Sequence, residues 1–338
     1  MKKAYIYPVS GRIQNAVPNP YVFNFINSLK NYFDFVNSDK PSGSGIFNLI
    51  RFINKIDYLF LNWIEELPDN KGGYIQTLMF IIIIYYCKLT GKKIIWTIHN
   101  KQTHYKRNLL VKNYIFKFLL RKSDFILTHS SEGVEYASQL SKKDLNIRFF
   151  HHPLEENING NNKTIKDIDI LIWGTIIKYK GIDKFLVYLK DNSLDNKYKI
   201  IITGKANSME YFNEIRQFEN TYIKIENKYI EYNELVELIN RAKIILFPYD
   251  KESVLSSGGL MDTLSLKANI IGPCVAAFKD LKDEGIINTY DNFDELIEII
   301  DREININQTN REKIRKFIEN NTWLKFGERL EEWISAAS

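Results

Sequence analysis

Cysteine is scarce in this chain: Cys87 and Cys274 are the only two in 338 residues, and they lie far apart with no metal-type spacing. That argues against a disulfide framework and a zinc site, and it suits a reducing compartment. A secretory leader is not expected, because Met1-Lys2-Lys3 runs straight into a short strand-like segment, residues 4–7, and then Pro8. Long apolar runs are also missing. The longest, residues 78–87, is too short to cross a bilayer and reads as a buried helix, so any membrane contact is expected to be peripheral. No G-x-G-x-x-G follows a strand, which disfavours a dinucleotide-dependent dehydrogenase. Acid is absent between Asn70 and Ser123, although that stretch carries Lys71, Lys88, Lys92, Lys93, Lys101, Lys106, Arg107, Lys112, Lys117, Arg121 and Lys122.

What is present is ample apolar material: 45% hydrophobic and 14% aromatic residues, enough for two packed cores. A length of 338 residues favours two domains over one. The net charge of +5 hides an asymmetry, since residues 1–152 hold 21 Lys and Arg against 10 Asp and Glu, while the remainder holds 25 against 31. A basic first half could meet an anionic membrane or a phosphorylated substrate. It could equally be a solvated surface of snorkelling side chains.

Apolar runs at 4–7, 58–63, 93–98 and 125–128 read as strands, with helical stretches at 21–32, 75–89 and 108–120 between them. A polar linker follows, and the alternation then restarts. Strands are predicted at 169–173, 198–203, 221–225, 244–247 and 269–271, and helices at 181–188, 208–217, 232–241, 259–266 and 292–301. Strands separated by helices predict parallel sheets covered on both faces. The tail from Asn321 through Trp323 and Phe326 to Trp333 reads as an amphipathic helix able to pack on either domain.

In parallel sheets, ligands sit beyond the carboxyl ends of strands. Three such ends carry small residues and cations. Gly174 allows a close turn past a ligand, and Lys180 follows six residues later, just before Gly181. Gly204-Lys205 ends the strand 200–203. Ser256-Ser257-Gly258-Gly259 opens a helix whose amides would face an anion, with Asp262 one turn inside to accept from ribose hydroxyls. Each has an ordinary alternative: a surface lysine, a plain turn, an acid stabilising the first helical turn. Together they predict a nucleotide diphosphate site. All five histidines fall between 99 and 152, and none forms an H-E-x-x-H pattern. His129 and His151 read as structural, whereas His99 ends a strand, and Glu65 is expected to end another.

The ordered set resembles the C-terminal half of GT-B glycosyltransferases, especially family-4-like enzymes of bacterial polysaccharide synthesis. It is carried by Gly174, Tyr179-Lys180-Gly181-Ile182-Asp183, Gly204-Lys205, Pro248-Tyr249, the helix start at 256–262, and residues 267–273. The first half agrees: Ile95-Trp96-Thr97-Ile98-His99-Asn100, with His104 beyond it, is similar to the family's W-T-x-H-N strand end. Asn62-Trp63-Ile64-Glu65 resembles its H-W-x-E segment with Asn for the first His, and Asn19-Pro20-Tyr21 resembles its N-terminal loop. Two departures stand out. Asp262 matches the second of the family's two donor-side Glu residues, but Val254 occupies the place of the first, with Glu252 two positions away. Ile177, next to Lys178, replaces a common Arg.

The resemblance implies an α/β GT-B fold: two Rossmann-like doubly wound domains facing across a cleft, and a C-terminal helix available to pack back on the first. The expected boundaries are 1–153 for the acceptor domain, 154–167 for a linker, 168–320 for the donor domain and 321–338 for the helix. It implies transfer of a sugar from a UDP- or GDP-linked donor to a hydroxyl of a glycan or lipid-linked glycan in surface polysaccharide synthesis, with no metal and no further cofactor. His99 and Glu65 are the implied catalytic residues. Gly174, Thr175, Lys180, Gly204, Lys205, Tyr249, Ser256, Ser257, Gly258, Gly259, Leu260 and Asp262 are implied on the donor side. Arg12, Asn19, Asn100 and His104 are implied for the acceptor. The expected setting is cytoplasmic, at the inner membrane face through the basic first domain, with no nucleic acid partner. A sugar-nucleotide epimerase and a non-catalytic nucleotide-sugar-binding protein remain as alternatives.

Overall fold

Several strands are apolar at nearly every position. β3 (Tyr58–Asn62) and β5 (Phe125–Thr128) are buried along their whole length. A strand of that kind needs cover on both faces, which parallel sheets obtain from crossover helices. The structure is a computed structural model, and it describes residues 1–8, 20–38, 45–101, 107–155, 165–251, 255–305 and 311–337. Residues 156–164, most of the expected linker, therefore lie outside the described residues. The chain divides into two compact units, residues 1–153 with 321–338, and residues 154–320.

The first unit is built on β1 (Lys2–Tyr7), α1 (Pro20–Leu29), β2 (Phe33–Phe35), α2 (Phe47–Ile50), β3, α3 (Gly73–Leu89), β4 (Lys93–Ile98), α4 (Leu109–Lys122), β5, α5 (Ser131–Leu140) and β6 (Ile147–Phe149). Its six strands are parallel, in the order β2-β1-β3-β4-β5-β6. Successive side chains along a strand face opposite ways. Phe60 and Ile95 accordingly join α1 in one core, while Trp96 packs against Phe116 of α4 at 4.9 Å on the other side.

The second unit runs β7 (Ile168–Trp173), α6 (Ile182–Asp191), β8 (Ile200–Gly204), α7 (Met209–Arg216), β9 (Ile223–Asn227), α8 (Tyr232–Arg241), β10 (Ala242–Leu246), α9 (Gly258–Ser265), β11 (Ile270–Pro273), α10 (Ala276–Asp283), β12 (Asn288–Tyr290), α11 (Phe293–Glu303) and α12 (Arg311–Asn320). The order is β12-β11-β10-β7-β8-β9, again all parallel. On β10, Ile244 and Leu246 enter one core and Ile245 the other.

The chain then returns to the first unit as α13 (Trp323–Ala336). Phe326, Leu330, Trp333 and Ile334 form one stripe along it, which is buried with α1 and β5: Phe25–Phe326 lie 5.7 Å apart and Phe125–Trp333 5.2 Å. Gly327 rests against the Ser28 carbonyl, where a Cβ would collide.

Three expectations need correction. The run at 78–87 is not a buried helix: within α3, Phe80, Ile83, Ile84 and Cys87 are buried, but Leu78, Ile82, Tyr85 and Tyr86 are exposed. Glu65 does not end a strand. Trp63 adopts a left-handed backbone (φ 47°), which stops β3 and places Glu65 in a 3-10 turn, Ile64–Asp69. The strand expected at 221–225 forms at Ile223–Asn227, because Asn220 accepts from the amides of Tyr222 and Ile223 and holds the preceding residues in a turn. The edge strands β2, β6 and β12, with three residues each, have no counterpart among the predicted elements. Three residues are too few to show a period.

Candidate functional site

In the second unit, β7, β8 and β9 follow one another to one side and β10, β11 and β12 to the other. The order reverses between β7 and β10, and the crevice at such a reversal is where open α/β sheets hold ligands. The loops after β7, β8 and β10 carry the predicted donor residues, so the sheet brings these segments together.

They are tied backbone to backbone. Gly174 N–H donates to the Thr203 carbonyl at 3.1 Å and Ile176 N–H to the Lys205 carbonyl at 3.0 Å. Gly174 (φ 98°) and Gly204 (φ 155°) face each other, and a Cβ on Gly204 would strike the Gly174 carbonyl. Gly181 (φ 63°) lies so close to the Pro248 carbonyl that a Cβ there would clash as well. Asp250 N–H donates to the Tyr179 carbonyl at 3.0 Å, and Asp250 pairs with Lys184 at 2.6 Å. Glycine is thus needed where chains cross, and the crossing sets the site.

Lys180 sits at the centre. It is 8% exposed, and its Nζ would lie 2.9 Å from a Cβ built on Gly174. Among the described residues it has no acid partner; its ammonium lies 5.4 Å from the centre of the Tyr249 ring. Burial lowers its pKa below the usual lysine value. Tyr249 is itself buried, which pushes its phenol to about 12. Lys205 and Thr175 are exposed beside this point. Lys178, by contrast, is engaged by Glu214 at 3.3 Å and Asp183 at 3.8 Å.

Ser257 caps α9, its hydroxyl accepting from Leu260 N–H at 3.3 Å. Gly258 has open space around it, and Gly259 lies over the Trp173 indole. Asp262 is exposed to solvent but densely surrounded by protein; desolvation, then the charge of Glu155, raises its carboxyl to about 6. Ser256 is half-buried in the same loop.

In the first unit His99 follows β4 and is buried. Its Nε2 lies 3.0 Å from Asn62 Oδ1, its ring stacks on Trp63 at 4.0 Å, and Tyr21 meets it edge-on at 4.8 Å. Burial, then the neighbouring His129 and His152, lowers its pKa well below 6.5, so His99 is neutral. His129 Nδ1 faces the Phe150 carbonyl at 2.9 Å and therefore carries the hydrogen, which leaves Nε2 to accept from the Tyr21 hydroxyl at 2.8 Å. Burial lowers His129 to about 3.

Glu65 is buried, and burial raises its carboxyl to about 7. Among the described residues neither its Oε2 nor the Trp96 Nε1 has a partner in hydrogen-bonding geometry, although the indole is near enough to favour the carboxylate. Glu65 and Asn100 line a cavity of about 240 Å³ with Lys101, Lys112, Asn113 and Tyr136. Lys112 is buried and held by Glu66 at 2.7 Å and Asp69 at 2.5 Å. His99 is not in that wall, so the two expected catalytic residues occupy different surroundings within this unit. Arg12, Asn19, His104, Glu252 and Val254 lie outside the described residues.

Two further residues hold these loops without a sequence signal of their own. The Trp173 indole donates to Thr263 Oγ1 at 2.9 Å, fixing β7 to α9 across ninety positions. Asn227 Oδ1 accepts from Ala206 N–H at 2.9 Å and holds the loop after β8. Both links are long-range, and no local pattern announces them.

No protein-family model and no curated protein sequence matches the chain. Its structure is similar to that of HepE from Anabaena, solved with UDP, at a TM-score of 0.73 and 11% identity over 99% of this chain and 100% of that one. HepE has also been solved with UDP-glucose. AviGT4, a glycosyltransferase involved in avilamycin A biosynthesis, matches at a TM-score of 0.63 and 11% identity over 98% and 97% of the two chains. The N-terminal domain of Candida albicans trehalose-6-phosphate phosphatase matches at 0.67 and 9% over 99% and 96%. At such identities the likeness is one of fold. The fold is α/β, of the GT-B glycosyltransferase type, with a six-stranded parallel sheet in each unit.

Proposed function

We propose that this protein is a glycosyltransferase that moves a sugar from a nucleotide diphosphate donor to an acceptor hydroxyl. The observation that carries this reading is Lys180: a buried ammonium without an acid partner among the described residues, set against Gly174 at the sheet's reversal point. A buried charge lacking its counter-ion is costly, and a diphosphate would supply the counter-ion.

In this reading Lys180, Lys205 and the amides at the start of α9 neutralise the leaving diphosphate. Stabilising charge as it develops is the main catalytic contribution. The acceptor oxygen bonds to the anomeric carbon as the bond to the diphosphate oxygen breaks. The nucleoside diphosphate leaves with that electron pair, and the acceptor proton passes to a base. Glu65 suits the base: a carboxyl near 7 is matched to neutral pH. Neutral His99 holds a hydroxyl of the transferred sugar, and Asp262 accepts from the ribose. Thr175, Gly204, Tyr249 and Ser256 complete the donor loops, and Asn100 contacts the acceptor.

The complexes of HepE with UDP and UDP-glucose favour a uridine donor. The lysines provide the positive charge, so turnover without a divalent metal is expected. The acceptor class is a glycan or lipid-linked glycan of surface polysaccharide synthesis at the cytoplasmic membrane face, which suits the basic first unit. A thermal-shift panel of UDP-, GDP-, ADP- and CMP-sugars tests the donor, since a bound ligand raises apparent stability. Product analysis with the stabilising donor, with and without candidate acceptors, tests the reaction. A rise with none of the four, or epimer formed without acceptor, overturns it.

A further inference from the structure

α3 and α4 lie side by side and run in the same direction. At their starts the Tyr74 hydroxyl donates to Asn108 Oδ1 at 2.7 Å; near their ends Tyr85 meets Phe118 at 5.7 Å, and Lys122 Nζ lies 4.5 Å from the Tyr85 ring centre. One side of α3 is core. The other carries Ile75, Leu78, Ile82, Tyr85 and Leu89, spaced alternately by three and four residues, which is one continuous helix face. These side chains are open to solvent: Ile75 is 66% exposed, Leu78 61%, Ile82 53% and Leu89 86%. α4 extends the face with Leu110, 87% exposed, and Tyr114, then Lys117 and Arg121 at the next helical positions.

Single exposed apolar residues are ordinary, but a contiguous strip of this size on two adjacent helices marks an interaction surface. Its charge identifies the partner. Lys71, Lys117 and Arg121 are exposed around the strip and form no ion pair among the described residues. No acid occurs from residue 70 to 123. A second copy of the chain meeting this face with its own would set cation against cation with nothing to compensate. An apolar strip with basic flanks matches an anionic bilayer surface, where aliphatic and aromatic side chains enter the headgroup boundary and cations meet lipid phosphates. No helix among the described residues is long and apolar enough to cross a membrane.

We propose that the outer face of α3 and α4 docks the protein on an anionic lipid surface, with Ile75, Leu78, Ile82, Leu89 and Leu110 inserted and Lys71, Lys117 and Arg121 on the phosphates. The inference deepens the membrane-face setting of the proposed function, and because its test needs no donor, its failure is distinguishable from failure of the transferase reading.

The test is co-flotation of the full chain with vesicles of phosphatidylcholine alone or mixed with phosphatidylglycerol, at low and high salt. Binding is expected only to the mixed vesicles and should weaken with salt. Removing two cations with Lys117→Gln and Arg121→Gln should weaken it roughly thirtyfold, about fivefold per charge. The Leu78→Gln and Ile82→Gln pair should abolish flotation, and both pairs are exposed, so the thermal transition should not move. Sedimentation velocity without lipid is expected to leave the state of association unchanged in the Leu78/Ile82 pair. The proposal is overturned if the wild type fails to float at low salt, if both variant pairs float like it, or if the Leu78/Ile82 pair instead breaks a dimer.

Discussion

Replacing Lys180 by Met separates a structural lysine from one poised for an anion. Met keeps most of the apolar stem and deletes the charge. The ammonium is buried with no acid partner among the described residues, and burial lowers its pKa. Removing it relieves a desolvation cost that for a buried ion amounts to several kcal/mol. Against that, the contact with the Tyr249 ring, worth about 0.5–2 kcal/mol, is lost. The net effect is stabilisation of roughly 1 kcal/mol or more, a rise in Tm of about 2–4 °C for a unit of this size. The pH dependence has a definite sign. A lysine whose folded pKa is lowered is bound more tightly by its proton in the unfolded chain, so stability rises with pH between the folded value and the ordinary one. The wild type should show that rise relative to Lys180→Met. Binding should move the other way. Losing one charge-assisted hydrogen bond to a diphosphate costs about 1.5–3 kcal/mol, so UDP should bind roughly 10- to 150-fold more weakly by titration calorimetry. A variant that is less stable and binds UDP unchanged would refute the reasoning, because Lys180 would then be serving the fold alone.

Glu65→Gln should stabilise the protein above pH 7. The carboxyl ionises near 4.5 in the unfolded chain and at about 7 when folded, so its cost is absent below pH 4.5, grows between the two values, and reaches roughly 3 kcal/mol above them. Urea melts on either side of that window check it, and a variant gain as large at pH 4 as at pH 8 contradicts it. Gly204→Ala should cost roughly 2–3 kcal/mol and weaken UDP binding, because the new Cβ meets the Gly174 carbonyl and must push the two strand ends apart. Wild-type stability in that variant would mean the loops are not held in contact.

Much of the architecture is local information. Apolar runs such as 58–62 and 93–98, separated by helix-length segments, already demand a parallel sheet covered on both faces. Gly174, Gly204 and Gly181 mark tight turns because only glycine adopts their backbone cheaply. Asn, Ser and Gly at strand ends likewise announce their loops. Other features are not properties of any short window. The run at 78–87 looks buried by composition, yet which of its faces meets the sheet depends on where β3, β4 and α4 lie, and that leaves Leu78 and Ile82 in water. Lys180 is an ordinary lysine in sequence, and its burial arises because Gly174 after β7 and Tyr249 after β10 meet around it. His99 is neutral because Tyr21 and Trp63, distant along the chain, enclose it with His129 and His152. The amphipathic period of α13 is legible in the sequence, but its packing in the first unit comes from Phe326 and Trp333 meeting Phe25 and Phe125. Element types and the loops that turn on glycine follow from residues within a few positions of one another, and the strand–helix alternation along the chain carries the parallel sheets. The tertiary structure decided which side chains lose water and which charges lose partners, because burial and desolvation are sums over neighbours far apart in the chain.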